Sequence, residues 1–182
     1  MPRPGMCWWH VVLTTYATWL PGDPRGFRNR FHRIHSSGDY KSPPPSGEHK
    51  GLYLYNLKHS GAPVRLPPTT RHIAAISIVQ TLNQHDCRVM IVCVSSNHAH
   101  ILAEMPIRSN DYSRIITKVK TTSSASIRNV LPGRVWGRGD THKLKRDIKS
   151  RRSAFQYILK HRAEGAFVWT YKDSLPDDNQ CV

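Results

Sequence analysis

Hydrophobic and β-branched positions alternate with polar ones in a way that splits this chain into strands and helices. Trp8-Trp9-His10-Val11-Val12-Leu13-Thr14-Thr15-Tyr16 reads as a first strand. It stops at Trp19-Leu20-Pro21-Gly22-Asp23-Pro24-Arg25-Gly26, where paired Pro and Gly force turns. Residues 21–68 then carry no apolar period, with Pro43-Pro44-Pro45 in the middle. This segment lacks the apolar residues for a core of its own and is expected as a long loop insertion. Ile73, Ile76, Val79 (with Ala75) and Leu82 fall at helical spacing in a helix from about Arg71, which Thr69 or Thr70 would cap. Strands follow from Arg88 and from His98 to about Met105, with a bend at Asn97.

A second helix starts near Ser109 or Asn110 with Tyr112, Ile115, Ile116 and Val119 on its apolar face, running through Ile127 toward Val130. Val135-Trp136 and Thr141–Arg146 are expected to pair as a hairpin about the turn at Gly137-Arg138-Gly139-Asp140. The last helix runs from about Asp147 to Ala163, with Ile148, Phe155 and Leu159 in one stripe and Gly165 as its natural stop. Phe167-Val168-Trp169 is a final short strand or packing arm, and the polar tail from about 173 to 182 is expected to be loose. Strands and helices interleaved in this order predict an α+β fold, an antiparallel sheet with helices on one face, in one domain over 1–182.

Charge changes the picture. With 27 Lys and Arg against 12 Asp and Glu, the formal net charge is +15, which points to a polyanionic partner, nucleic acid first. No stretch approaches the roughly 18 apolar residues of a membrane span, and no secretory segment opens the chain, so no membrane partner is expected. Cys7, Cys87, Cys93 and Cys181 have no CxxC spacing; those in apolar strands serve as small hydrophobes, consistent with a reducing, cytoplasmic setting close to the nucleoid.

Two histidines, His98 and His100, close the long apolar run. At i, i+2 on a strand they share one face, while Ala99 and Ile101 turn to the other. Two imidazoles on one face of a buried strand have no packing rationale and suggest a divalent metal site. On the last helix, Tyr157 and His161 at i, i+4 share a face away from the Phe155–Leu159 stripe. His161 would complete a three-imidazole site with Tyr157 beside it. Three neutral imidazoles suit Mn, Co, Ni or Zn by ligand softness; Mg is a weaker match on that ground, though Mn and Mg are the ions expected in use. A phenol near an ion that polarises a phosphate can attack phosphorus and leave a covalent phosphotyrosine. Lys118, Lys120, Arg138, Lys143, Lys145, Arg151 and Arg152 could track phosphates, and Trp136 could stack on an unpaired base. Arg25, Arg28, Arg30 and Arg33 could clamp DNA, whereas His32, His35, His49 and His59 are too irregularly spaced for a second metal site.

These segments resemble the single-tyrosine HUH transposases, most closely the REP-associated tyrosine transposases. The likeness rests on His10–Tyr16 followed by Trp19-Leu20-Pro21-Gly22-Asp23, on Asn97-His98-Ala99-His100 as the HUH motif, and on Trp136-Gly137-Arg138-Gly139, Arg146-Asp147 and Tyr157-Ile158. It implies a ferredoxin-like (RRM-like) sheet with the HUH strand central. It also implies metal ligation by His98 and His100, and Tyr157 as the nucleophile that cuts single-stranded DNA at or near a hairpin, giving a 5′-phosphotyrosine and a free 3′-hydroxyl. Members of the family often carry Asn or Gln at the position of His161, and Asn-Pro where this chain reads His161-Arg162. A homodimer is compatible with the resemblance. The alternative is a recruited, non-catalytic protein that binds single-stranded or hairpin nucleic acid.

Overall fold

In the computed structural model, which describes residues 1–27, 35–37, 42 and 44–173, the first strand, β1, spans Met6–Thr14. Helix α1 spans Lys50–Ser60 and α2 spans Pro68–Gln84. Strands β2 (Val89–Val94) and β3 (His98–Pro106) follow, then α3 (Ser109–Ser126), β4 (Thr141–Leu144) and α4 (Ile148–Lys160). A 3-10 turn over His161–Glu164 leads into β5 (Phe167–Thr170). The chain divides into two compact units, one of residues 1–14 and 65–182, the other Thr15–Val64. Among the described residues no helix is long and apolar enough to cross a membrane.

The first unit is an antiparallel sheet in the order β4-β1-β3-β2-β5. Without β5 this is the ferredoxin-like arrangement, built from the order β1-α2-β2-β3-α3-β4. The His-x-His strand is central, as expected. Alternation along β3 decides what each face holds. Ala99, Ile101, Ala103 and Met105 join the larger apolar core with Ile76, Ile78, Val79 and Leu82 of α2 and Tyr112, Ile115, Ile116 and Val119 of α3. Leu102 turns to the opposite face, where it packs with Ile91, Cys93 and Val168 against Ala154 and Ile158 of α4. The antiparallel α+β fold is thus as the sequence implies, but the helices do not share one face. Helices α2 and α3 cover one side and α4 the other, because α4 carries its own buried pair, Ala154 and Ile158, at helical spacing.

Other boundaries shift for local reasons. Helix α2 begins at Pro68, whose missing N–H suits the first helical position, and Ile73 lies on its exposed side. Helix α3 stops at Ser126, and turns follow to Val130. Val135-Trp136 and β4 do not form a hairpin. Residues Thr141–Leu144 pair with Val12–Trp9 of β1, and the Gly137 N–H donates to the Thr14 carbonyl (2.8 Å). Ile148, expected in the apolar stripe of α4, is exposed. Burial lifts the thiols of Cys87 to about 11 and Cys93 to about 12, so both act as hydrophobes.

Within the second unit, part of the expected loop is helix α1. Its half-buried positions, Leu52, Tyr53, Asn56 and Ser60, mix apolar and polar residues, while Leu54, Tyr55 and Leu57 are exposed. No apolar stripe announces such a helix. Gly22, at φ +86, is needed there, since a Cβ would lie 2.5 Å from the Tyr53 backbone nitrogen. Arg28, Arg30, His32, Arg33, residues 174–182 of the tail and Cys181 lie outside the described residues.

Candidate metal and nucleophile site

The face of β3 under α4 presents His98 and His100 two residues apart. Helix α4 begins at Asp147, whose carboxylate caps it by accepting the Ser150 backbone N–H at 2.7 Å. The helix then presents Tyr157, and His161 follows at its C-cap. Gly165, at φ 78, ends the following 3-10 turn. The structure thereby brings together His98, His100 and His161, with their candidate ligand nitrogens within 4.8 Å of one another. The rings of His100 and His161 stack at 4.8 Å, and His98 meets both edge-on at 4.7 and 5.3 Å. Tyr157 stands against this group, its ring 5.4 Å from His100 and 5.1 Å from His161. It is half exposed.

Each imidazole is held through one nitrogen. His98 Nδ1 lies 2.8 Å from Asn97 Oδ1 and 2.9 Å from Ser95 Oγ. His161 Nδ1 lies 2.8 Å from Glu164 Oε2, a contact the 3-10 turn favours because residues i and i+3 eclipse. His100 Nδ1 lies 3.0 Å from His10 Nε2. Holding Nδ1 leaves Nε2 of each ring for an ion, the arrangement in which metal-bound histidines are usually oriented. His161 Nε2 is buried with no hydrogen-bond partner, an orphaned polar atom that fits a metal ligand. Burial, then the other imidazoles, pulls His100 down to about 2. Burial also lowers His98, and His161 adds to the effect. Burial, then Lys145 and Lys143, takes His10 to about 4. His10, His98 and His100 are therefore neutral near neutral pH, and His98 and His100 keep the lone pairs that metal ligation requires.

His10 and Glu164 were not singled out by sequence reasoning. His10 sits on β1 with His98 and His100 on the adjoining strand, a relation that only the β1–β3 register reveals. Glu164 three residues after His161 was a visible signal, but only a 3-10 turn gives it meaning.

The basic candidates separate. Lys143 pairs with His10 across the β1–β4 ladder and shares its face. Lys145 follows on the same edge, its N–H donating to the Trp8 carbonyl at 2.8 Å. Arg151 reaches over the Trp8 ring at 5.5 Å, and Arg152 and Arg138 are exposed. Three candidates are placed otherwise. Trp136 is buried, its indole N–H donating to Ser123 Oγ at 2.9 Å, so it is core and not a stacking platform. Lys120 donates to the Gly137 carbonyl at 3.1 Å and to the Gly139 carbonyl, tying down that turn. Lys118 is exposed on α3, across the sheet from the imidazoles.

Residues 69–140 match a family model described as IS200-like transposase. The match includes His98 and His100 and stops short of Tyr157 and His161. No curated protein matches the chain. Among solved structures, a REP-associated tyrosine transposase bound to a REP hairpin aligns over 91% of this chain and 72% of that one, with TM-score 0.50 and 13% identity. The match over residues 69–140 bears out the resemblance drawn from the sequence, and the second match shows the fold.

Proposed function

We propose that this protein is a metal-dependent single-strand DNA endonuclease and strand transferase of the transposase type, acting at or near DNA hairpins through Tyr157. The observation that carries the reading is the convergence of Tyr157 with three imidazoles, one of which has a buried, unpartnered nitrogen. The IS200-like family match and the hairpin-bound structural relative support it.

His98, His100 and His161 would hold a divalent ion. Bound there, it would supply Lewis-acid polarisation of the scissile phosphate. Tyr157 Oη attacks phosphorus. The Oη–P bond forms as the P–O3′ bond breaks, the phenolic proton passes to solvent, and the departing oxygen takes up a proton to become a 3′-hydroxyl. The 5′ side stays on Tyr157 as a phosphotyrosine, and attack by a 3′-hydroxyl reverses the step without ATP. His10, His100 and His161 set their rings 6.1, 5.4 and 5.1 Å from the Tyr157 ring and so orient it. Lys143, Lys145, Arg151 and Arg152, with Arg138 at the nearby turn, would neutralise phosphates of the bound strand.

The test uses labelled single-stranded DNA carrying a hairpin from the sequence flanking the gene, with manganese, read on a denaturing gel. A protein–DNA band that needs the metal and is lost in Tyr157→Phe, with hairpin binding retained, is expected. A band of undiminished strength in Tyr157→Phe removes that residue from the mechanism. Tight hairpin binding with no band under any metal makes the protein a recruited binder.

A further inference from the structure

We infer that His10 is a positioning residue of the metal centre, accepting the Nδ1–H of His100 and thereby aiming His100 Nε2 at the ion. The inference rests on the reading of His98, His100 and His161 as the ligand set. Strand β1 runs antiparallel to β3 with Val12 opposite His100 and His10 opposite Leu102. His10 is thus the diagonal neighbour of His100 on one face, a spacing that long side chains bridge. Its Nε2 lies 3.0 Å from His100 Nδ1, with the ring centroids 5.2 Å apart.

One proton lies between those two nitrogens. If His10 Nε2 carried it, His100 would hold its own proton on Nε2, and that atom could not bind a cation. If His100 Nδ1 carries it, the His100 Nε2 lone pair is free. Only the second arrangement is compatible with metal at His100. His100 is 4% exposed, so water has little room to replace the lost acceptor. His98 and His161 take their orienting contacts from Asn97 and Ser95, and from Glu164, which are side chains near them in sequence. His100 alone depends on another strand. That makes β1, otherwise a structural strand, part of the metal site.

The experiment titrates Co²⁺ into wild type, His10→Phe, His10→Val and His10→Gln. Affinity is read by calorimetry, the ligand field by visible absorption, and fold by apo-protein melting. His10→Phe keeps the ring volume without an acceptor, and His10→Val suits a strand if Phe is not accommodated. His10→Gln restores an acceptor oxygen. Acceptor-free variants should bind Co²⁺ about 10–100-fold more weakly and show an altered absorption spectrum, while Gln recovers most of the affinity. A merely structural His10 would lower melting while leaving the affinity and spectrum of the folded protein unchanged, and that result overturns the inference. Wild-type affinity in both acceptor-free variants overturns it equally. If the wild type binds neither Co²⁺ nor Mn²⁺, the ligand reading itself falls, and this inference with it.

Discussion

His98, His100, Leu102 and Glu104 point to the same face of β3, yet the two ends of that row are polar in opposite ways. At one end the Glu104 side chain is fully buried and every lone pair is used. Arg88 Nε donates to Oε2 at 2.6 Å and Nη2 to Oε1 at 2.8 Å. Arg3 adds its backbone N–H at 2.5 Å and its Nε at 3.0 Å. At the other end the imidazoles are oriented through Nδ1, and the His161 Nε2 is left over. Both clusters are buried and both would attract attention in a search for polar residues in a core. The difference lies in completeness. A satisfied cluster ties chain segments together, here the amino terminus to β2 and β3. A cluster with convergent, unfilled donor atoms is arranged for something that binds.

The largest effect expected from breaking this contrast is on the imidazole end. His100→Ala should abolish Mn²⁺ or Co²⁺ binding and the covalent DNA adduct together, while the apo protein melts within a few degrees of wild type. Calorimetry, the adduct gel and a thermal scan read the three quantities on one preparation. An intact adduct at wild-type level would separate the imidazoles from the chemistry.

The carboxylate end should behave in reverse. Glu104→Ala leaves two partly exposed arginines without their shared partner, so the cost should be about 2–3 kcal/mol, below that of exposing a fully buried charge. For a chain of this size that is a fall of roughly 5–10 °C in melting temperature. The folded protein should bind Co²⁺ with wild-type affinity. A loss of metal affinity without loss of stability would mean that the two ends are one functional unit.

Acidification tests the same end more gently. The Arg88 guanidinium, with Arg3, holds the Glu104 carboxyl down at about 2, against its ordinary 4.5. A depressed folded-state value means that this contribution is fully present above pH 4.5 and is lost as the pH falls toward 2. The linkage amounts to at most roughly 3 kcal/mol. Urea unfolding at pH 6 and pH 3 should therefore show a smaller loss of stability in Glu104→Gln than in wild type. Equal losses would show that Glu104 does not carry the acid sensitivity.

Much of this arrangement was legible in the chain itself. β-Branched runs located β1, β2 and β3 to within two residues, since such runs mark pleated, buried backbone whatever they pair with. Periodicity also put His98 with His100, and Tyr157 with His161. It could not say that the two pairs meet, because that depends on which face of the sheet α4 covers. Nor could it identify the partner of β4: Val135-Trp136 is the nearer candidate in sequence, but the indole is drawn into the core by Ser123. Helix α1 was hidden because its exposed side is the more apolar one. His10 stood in view within the first strand, and its role needed a register that alternation alone does not fix.

The smallest expected effect concerns which face meets DNA. Lys143 is exposed on β4 and shares the His10 face, whereas Lys118 is exposed on α3 behind the sheet. If the strand lies beside Tyr157, Lys143→Ala should weaken hairpin DNA binding by a few-fold and reduce the slope of log affinity against log salt by about 1, the signature of one lost phosphate contact. Lys118→Ala should leave both unchanged. Fluorescence anisotropy across a salt series measures each variant. The reverse result, a shallower slope for Lys118→Ala alone, would put the DNA backbone on α3 and detach the binding surface from the imidazole end of β3.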